Sequence, residues 1–263
     1  MIRTTDAYGL TFAYPAGDTV VGPCLARYGE FARITTTFMA TYGQGGSVID
    51  VGANIGAVAL PVSRFVREVI AIEAHPGLAS LLALNAKARP NIRVMHAAAG
   101  VQAGEIAFPV IPLADQANFG GGGVGTTSAP VEIIRSLALD DIAPSDLLAV
   151  KIDVEGAEND VLIGASNLLS TQRPIFVVEF NSPAVIGVLA AAGYRSYWMW
   201  EPFVTPMAPK QKWRSRFRGD LSILSIPAER DQPGDMVEAR EGDAAPASTA
   251  GFEYLRRFGI TPR

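Results

Sequence analysis

The chain has 263 residues, 49% of them hydrophobic and 18% charged, with a mean hydropathy of +0.21, enough apolar material for one large core. A formal charge of −4 and a pI near 5.3 leave no global basic field to attract nucleic acid or an anionic membrane. The single cysteine, Cys24, excludes an internal disulfide and suits a reducing compartment.

Residues 1–10 carry Arg3 and Asp6 with no apolar core, so no signal peptide is expected. No apolar run approaches the ~20 residues that a membrane-spanning helix needs. A soluble, cytoplasmic protein is the expectation. Residues 1–43 read as an N-terminal extension to a domain over 44–228.

That domain opens on Val48-Ile49-Asp50-Val51, a buried parallel strand by its β-branched run. It enters the turn Gly52-Ala53-Asn54-Ile55-Gly56, whose glycines would leave backbone N–H groups open to a ligand, and then a helix over 55–67. Asp50 stands at the strand end where open α/β sheets bind ligands. A second strand over 69–73 ends in Glu73, 23 residues after Asp50, at the spacing that places an acid on a ribose diol. A helix over 77–88 stops before Pro90, and 92–98 reads as a third strand. Strand and helix alternate, which predicts a doubly wound parallel sheet.

Alternation breaks between 100 and 140. Strand-like runs at 106–111 and 131–139 flank Asn118-Phe119-Gly120-Gly121-Gly122-Gly123, an inserted hairpin or flap whose glycines suit a flexible tip or the hinges of a lid. It resumes with a strand over 147–153 ending in Asp153, a helix over 157–169 with acids in its first turn, a strand over 175–180 and a helix over 183–192 closed by Gly193. Two further strands, 194–200 and 220–226, have no helix between them and should pair antiparallel at a sheet edge. Residues 229–250 are acidic and rich in Ala, Pro and Gly, a flexible tail with a terminal helix over 252–258. The expected fold is α/β: a doubly wound, mostly parallel seven-stranded sheet with an antiparallel edge strand.

An NAD fingerprint requires glycine where this turn has Asn54, and Asp50 would repel a diphosphate. S-adenosylmethionine (SAM) has a ribose for Glu73 and a cationic end for Asp50. Asp153 and Glu179 end two more parallel strands and should meet Asp50 at one crevice. With Asp50 and Glu73 on the cofactor, Asp153, Glu155, Glu158 and Glu179 remain for catalysis or metal. A hydroxyl acceptor must lose its proton, which a carboxylate or a metal ion can assist. Asp153, Glu179 and Asn181 form an oxygen set suited to Mg²⁺, whereas Glu158 also fits ordinary helix-terminus chemistry. His75 reads as a cofactor wall and His96 as a satisfied sheet histidine. The run Lys210-Gln211-Lys212-Trp213-Arg214-Ser215-Arg216-Phe217-Arg218 is either a solvated loop or a substrate contact through Trp213, Arg214 and Arg218. No Asn/Asp-Pro-Pro-Tyr/Phe motif follows the Asp153 strand, so base methylation in nucleic acid is disfavoured.

Together, Ile49-Asp50-Val51-Gly52-Ala53-Asn54-Ile55-Gly56, Val150-Lys151-Ile152-Asp153-Val154-Glu155-Gly156-Ala157-Glu158 and Asn118-Phe119-Gly120-Gly121 resemble the FkbM family of SAM-dependent methyltransferases, over about residues 46–182. The resemblance implies a class I, Rossmann-like methyltransferase acting on hydroxyl oxygens of sugars or secondary metabolites. It implies cofactor contacts at Asp50, Gly52, Asn54, Gly56 and Glu73, which Ala74, Ala98 and Asp153 complete. Asp153, Glu155 and Glu179 are the expected catalytic groups, with Asn118 and Asn181 on the substrate side. The expected partner is a small hydroxylated molecule, with no nucleic acid and no membrane; a homodimer is one option for assembly. Two alternatives stay open: a SAM-binding protein without transfer activity, and an NAD-dependent oxidoreductase.

Overall fold

A computed structural model describes residues 1–121, 130–210 and 219–263. The chain begins with a hairpin, β1 (Ile2–Ala7) and β2 (Leu10–Pro15), then α1 (Val21–Tyr28) and α2 (Arg33–Tyr42). Next come β3 (Ser47–Val51), α3 (Ala59–Val62), β4 (Glu68–Glu73), α4 (Pro76–Ala86) and β5 (Ile92–His96). The middle section holds β6 (Ala98–Ala99), β7 (Gly104–Pro109), β8 (Val131–Leu137) and β9 (Leu147–Ile152). The last part contains α5 (Glu158–Ile163), α6 (Ser166–Ser170), β10 (Ile175–Glu179), α7 (Ala184–Ala191), β11 (Tyr194–Pro202), β12 (Gly219–Pro227) and β13 (Glu238–Ala239).

Eight strands form the main sheet in the order β13-β11-β12-β10-β9-β3-β4-β5. The five from β10 to β5 are parallel, and β12, β11 and β13 join antiparallel. Every residue of β3 is buried, as expected of a strand covered on both faces. The seven expected strands are present, with the 194–226 hairpin joining antiparallel at one edge, and the tail adds an eighth, β13. The insertion forms its own three-stranded sheet, β6-β8-β7, with the expected hairpin at its centre.

Two expected helices are cut short for visible reasons. The one over 55–67 reduces to α3, because Asn54 and Gly56 have φ of 52° and 90°, outside the helical region. The one over 157–169 divides at Gly164, where a Cβ would lie 2.0 Å from the carbonyl oxygen of Gly100. Asp140 then caps the new start, accepting bonds from the Asn167 and Leu168 amides at 2.8 and 2.9 Å.

The two ends of the chain are corrected as well. Residues 1–43 are not a detached extension: Phe12, Leu25, Ile34 and Met39 lie in the main core. The tail is anchored by Phe252, Tyr254, Leu255 and Phe258, all buried, with the Tyr254 hydroxyl bonded to the backbone of Trp200 at both N–H and C=O. The terminal helix over 252–258 is a 3₁₀ turn over Glu253–Phe258. Among the described residues no helix is long and apolar enough to cross a membrane.

Candidate active site

The carboxyl ends of β3, β4, β9 and β10 point at one crevice and bring Asp50, Glu73, Asp153 and Glu179 to the same edge of the sheet. Two cavities open there. The larger is walled by Phe31, Thr35, Glu179, Glu201, Phe203 and Ser222. The smaller is mostly apolar, walled by Ile72, Ala97, Ala98, Phe108 and Phe119, with Glu73 and Ala74 at one side. Gly52, Asn54, Gly120, Asp153 and Glu155 line both cavities and form the seam between them.

The β3 turn is built differently from its sequence reading. A Cβ on Gly52 would stand 1.7 Å from the carbonyl oxygen of Asp153, and φ there is 74°. Glycine is therefore required by strand β9 as well as by any ligand. The Gly52 and Ala53 amides both donate to the Ile72 carbonyl at 3.0 Å, so they are not free for a ligand. Gly56 lines neither cavity; a Cβ on it would meet Leu60 and Leu82 at 2.2 and 2.8 Å. Glu73 closes the turn: its carboxylate accepts from the amides of Asn54 and His75, each at 2.8 Å.

Asp50 is displaced from its expected role. It is 1% exposed, lines neither cavity, and sits 3.2 Å from the Lys151 ammonium. Lys151 also lies 3.2 Å from Asp153 Oδ2 and donates a hydrogen bond to the Gly52 carbonyl at 3.2 Å. Burial alone would depress the Lys151 pKa, but Asp153 and Asp50 outweigh burial and raise it. Asp50 thus contacts the site only through Lys151.

Asp153, Glu155 and Glu179 present carboxylate oxygens all within 4.8 Å of one another. Of the expected metal set of Asp153, Glu179 and Asn181, Asn181 donates from its amide nitrogen to Glu179 and Glu158, at 2.8 and 3.0 Å. Glu158 is buried and accepts from the Gly156 amide at 3.0 Å, so its role is to grip the 153–157 loop. Burial and the neighbouring Asp153 push Glu155 up to about 7; burial with Asp153 and Glu155 pushes Glu179 up to about 9. Burial likewise raises Glu73 to about 7 and Glu201 to about 8.

Each of these four acids has an ordinary value of 4.5, so the fold retains protons that the unfolded chain has lost. Stability from this source is complete below about pH 4.5 and is lost as pH rises through about 7 to 9. Melts of the ligand-free protein should show Tm falling from about pH 5 to about pH 9, against the usual trend for carboxylates. A Tm that rises over that window would contradict the arrangement.

The remaining expected residues are accounted for as follows. His75 caps α4, its Nδ1 accepting from Gly77 and Leu78 while Nε2 pairs with the Ile111 carbonyl at 2.7 Å. Its ring meets Phe119 edge-on, 6.1 Å between centroids, behind the cofactor-side wall. His96 pairs with the Ala74 carbonyl at 3.1 Å. Asn118 lines the larger cavity and accepts from the Gly120 amide at 3.2 Å. Its flap is fastened to the N-terminal segment, the Thr19 amide donating to the Ala117 carbonyl at 3.0 Å and the Ala117 amide to the Gly17 carbonyl at 3.1 Å. Trp213, Arg214 and Arg218 lie outside the described residues.

Sequence reasoning passed over Lys151, Glu201, Phe31 and Phe203. Lys151 had a local signal, a lysine inside an apolar strand. Glu201 accepts from the Ile34 and Thr35 amides at the start of α2, and Phe31 stacks on Phe203 with centroids 5.8 Å apart; both pairings join distant segments and leave no local trace.

The residues present suit SAM. The smaller cavity is a small-residue, apolar slot fit for an adenine, and each Glu73 oxygen retains a lone pair for a ribose hydroxyl. The seam carboxylates suit a positive centre. The family model for the methyltransferase FkbM domain matches residues 50–196. Among solved structures, a methyltransferase FkbM from Methylobacillus flagellatus KT shares 16% identity over 69% of this chain, with a TM-score of 0.44. This chain covers 44% of that one. TYW2 from M. jannaschii in complex with AdoMet shares 14% identity, covering 85% of this chain and 84% of that one, TM-score 0.45. Precorrin-8w decarboxylase from Methanobacterium thermoautotrophicum shares 15% identity, covering 81% and 98%, TM-score 0.47. No curated protein matches the sequence.

Proposed function

Because the chain belongs to the FkbM family of methyltransferases and has an α/β fold built on a mostly parallel sheet, we propose that it is a SAM-dependent O-methyltransferase of class I. Its acceptor in this reading is a hydroxyl on a small or glycosylated molecule, a sugar or secondary metabolite, in the cytoplasm. One observation carries the reading: two cavities share a wall of Asp153 and Glu155, while Glu179 lines the larger cavity alone. The apolar slot beside Glu73 would hold the adenosine end, and the larger cavity would hold the acceptor.

When bound, SAM supplies a methyl group made electrophilic by its positive sulfur. The chain positions the acceptor, excludes water and receives a proton. The stacked Phe31–Phe203 pair offers a flat apolar wall to one face of a ring. Glu179, which lines the larger cavity, would take the hydroxyl proton in its carboxylate form; burial with Asp153 and Glu155 raises its pKa to about 9 in the ligand-free protein, so turnover should increase as pH rises toward that value.

SAM should raise the Tm of the protein and NAD should not. With SAM bound, a panel of hydroxylated glycosides and secondary metabolites should yield methylated product. Glu179→Gln should cut turnover by about 10²–10⁴-fold while SAM affinity changes little. Stabilisation by NAD alone would favour an oxidoreductase, and SAM binding without product for any acceptor would favour a non-catalytic binder. The carboxylates gathered within 4.8 Å support a Mg²⁺-assisted version of the same reaction. Activity that survives exhaustive chelation and is not raised by Mg²⁺ removes that version.

A further inference from the structure

We propose that Asp153 and Glu155 make the cofactor cavity selective for a positively charged sulfur, so that the chain binds SAM in preference to its product, S-adenosylhomocysteine (SAH). The inference rests on the methyltransferase reading and concerns which ligand charge the site reads.

Asp153 and Glu155 are the acidic side chains that line both cavities among the described residues. A methyl group leaving one cavity for the other must cross the seam they form. The Asp153 side chain and the backbone that carries Glu155 are both held in place. Asp153 Oδ2 is held 3.2 Å from Lys151, which is itself fixed by Asp50 and the Gly52 carbonyl. Glu155 has φ of 54° and Gly156 φ of 104°, and the buried Glu158 grips the Gly156 amide from behind. A non-glycine residue stays in that backbone region only where its surroundings over-determine it. Asn54, at φ 52°, is the other strained residue of this seam.

The charges sort themselves accordingly. Lys151 carries one positive charge against Asp50 and Asp153 together, so with Glu155 the seam keeps a net negative charge for a cation. SAM and SAH share adenine, ribose, amine and carboxylate. They differ only in the methyl group and the positive charge it places on sulfur. Their affinity ratio therefore isolates what the seam does to that charge. Partly buried charges are weakly screened by salt, so the attraction persists at ordinary ionic strength. Glu179 lines the larger cavity alone, but its carboxylate lies within 4.8 Å of both seam acids, so its charge adds to theirs from a greater distance.

The test is calorimetric titration of chelator-treated protein with SAM, SAH and sinefungin, which carries an amine-bearing carbon in place of the sulfonium. SAM and sinefungin should each bind about tenfold or more tightly than SAH, a ratio produced by about 1.4 kcal/mol. Asp153→Asn and Glu155→Gln should each bring the ratio toward one while SAH affinity holds, which also reports that the variant is folded. Glu179→Gln should lower the ratio less than either seam variant. Wild-type protein that binds SAH as tightly as SAM overturns the inference, as does a ratio unchanged in both seam variants. Binding of none of the three ligands would instead overturn the methyltransferase reading itself.

Discussion

Glu73→Ala should weaken SAM binding by about 100-fold or more. A hydrogen bond to a charged group contributes about 1.5–3 kcal/mol, and a ribose diol offers two such bonds. The same substitution strips the acceptor from the Asn54 and His75 amides, each now bonded at 2.8 Å. Leaving those buried N–H groups unmatched should cost about 1–3 kcal/mol of stability apiece. Glu73→Gln keeps one carbonyl acceptor and should fall between the two on both measures. Calorimetry gives the affinity and denaturant melts give the stability. Unchanged SAM affinity in the alanine variant would remove Glu73 from the cofactor site.

Lys151→Met should be the most destabilising substitution in the site, by about 3–5 kcal/mol in denaturant melts. It leaves Asp50, 1% exposed, with an uncompensated buried charge or an acquired proton. The double variant Asp50→Asn with Lys151→Met removes both charges and should recover most of the loss, since deleting a buried pair costs far less than breaking it. A double variant as unstable as the single would show that Lys151 acts through packing rather than through its ion pair. The single variant should also release Asp153 from its 3.2 Å contact, so any preference for SAM over SAH should weaken with it.

These two residues show how unevenly the site is written into the sequence. Glu73 is legible because its position follows from local patterns: an apolar run, an acid at its end, and a set spacing from a glycine turn. Lys151 stands in an equally visible strand, yet its function depends on Asp50, some hundred residues earlier, lying beside it. The register that pairs Asp50 with Lys151 across β3 and β9 makes that contact. Asp50 changes role for the same reason: a strand-end acid can face the ligand or a neighbouring strand, and the lysine across the sheet decides which.

Sequence spacing places Asn181 beside Glu179, and the fold does so, with its amide nitrogen donating to Glu179 and Glu158. Glu155, which a reading by strand ends alone leaves off the metal set, presents a carboxylate oxygen within 4.8 Å of those of Asp153 and Glu179.

By itself the sequence determined the alternating strands and helices, the acids at their carboxyl ends, the inserted hairpin and the family. All of these depend on hydrophobic period and turn chemistry within a few residues, which the chain carries at every position. Only the tertiary structure decided that Gly52 serves strand β9, that Asp50 anchors a lysine, that the tail packs into the core and that residues 1–43 wall the acceptor cavity. Each of those depends on segments far apart in sequence meeting at van der Waals distance. Such meetings are set by strand order and register, for which no short stretch of sequence holds the information.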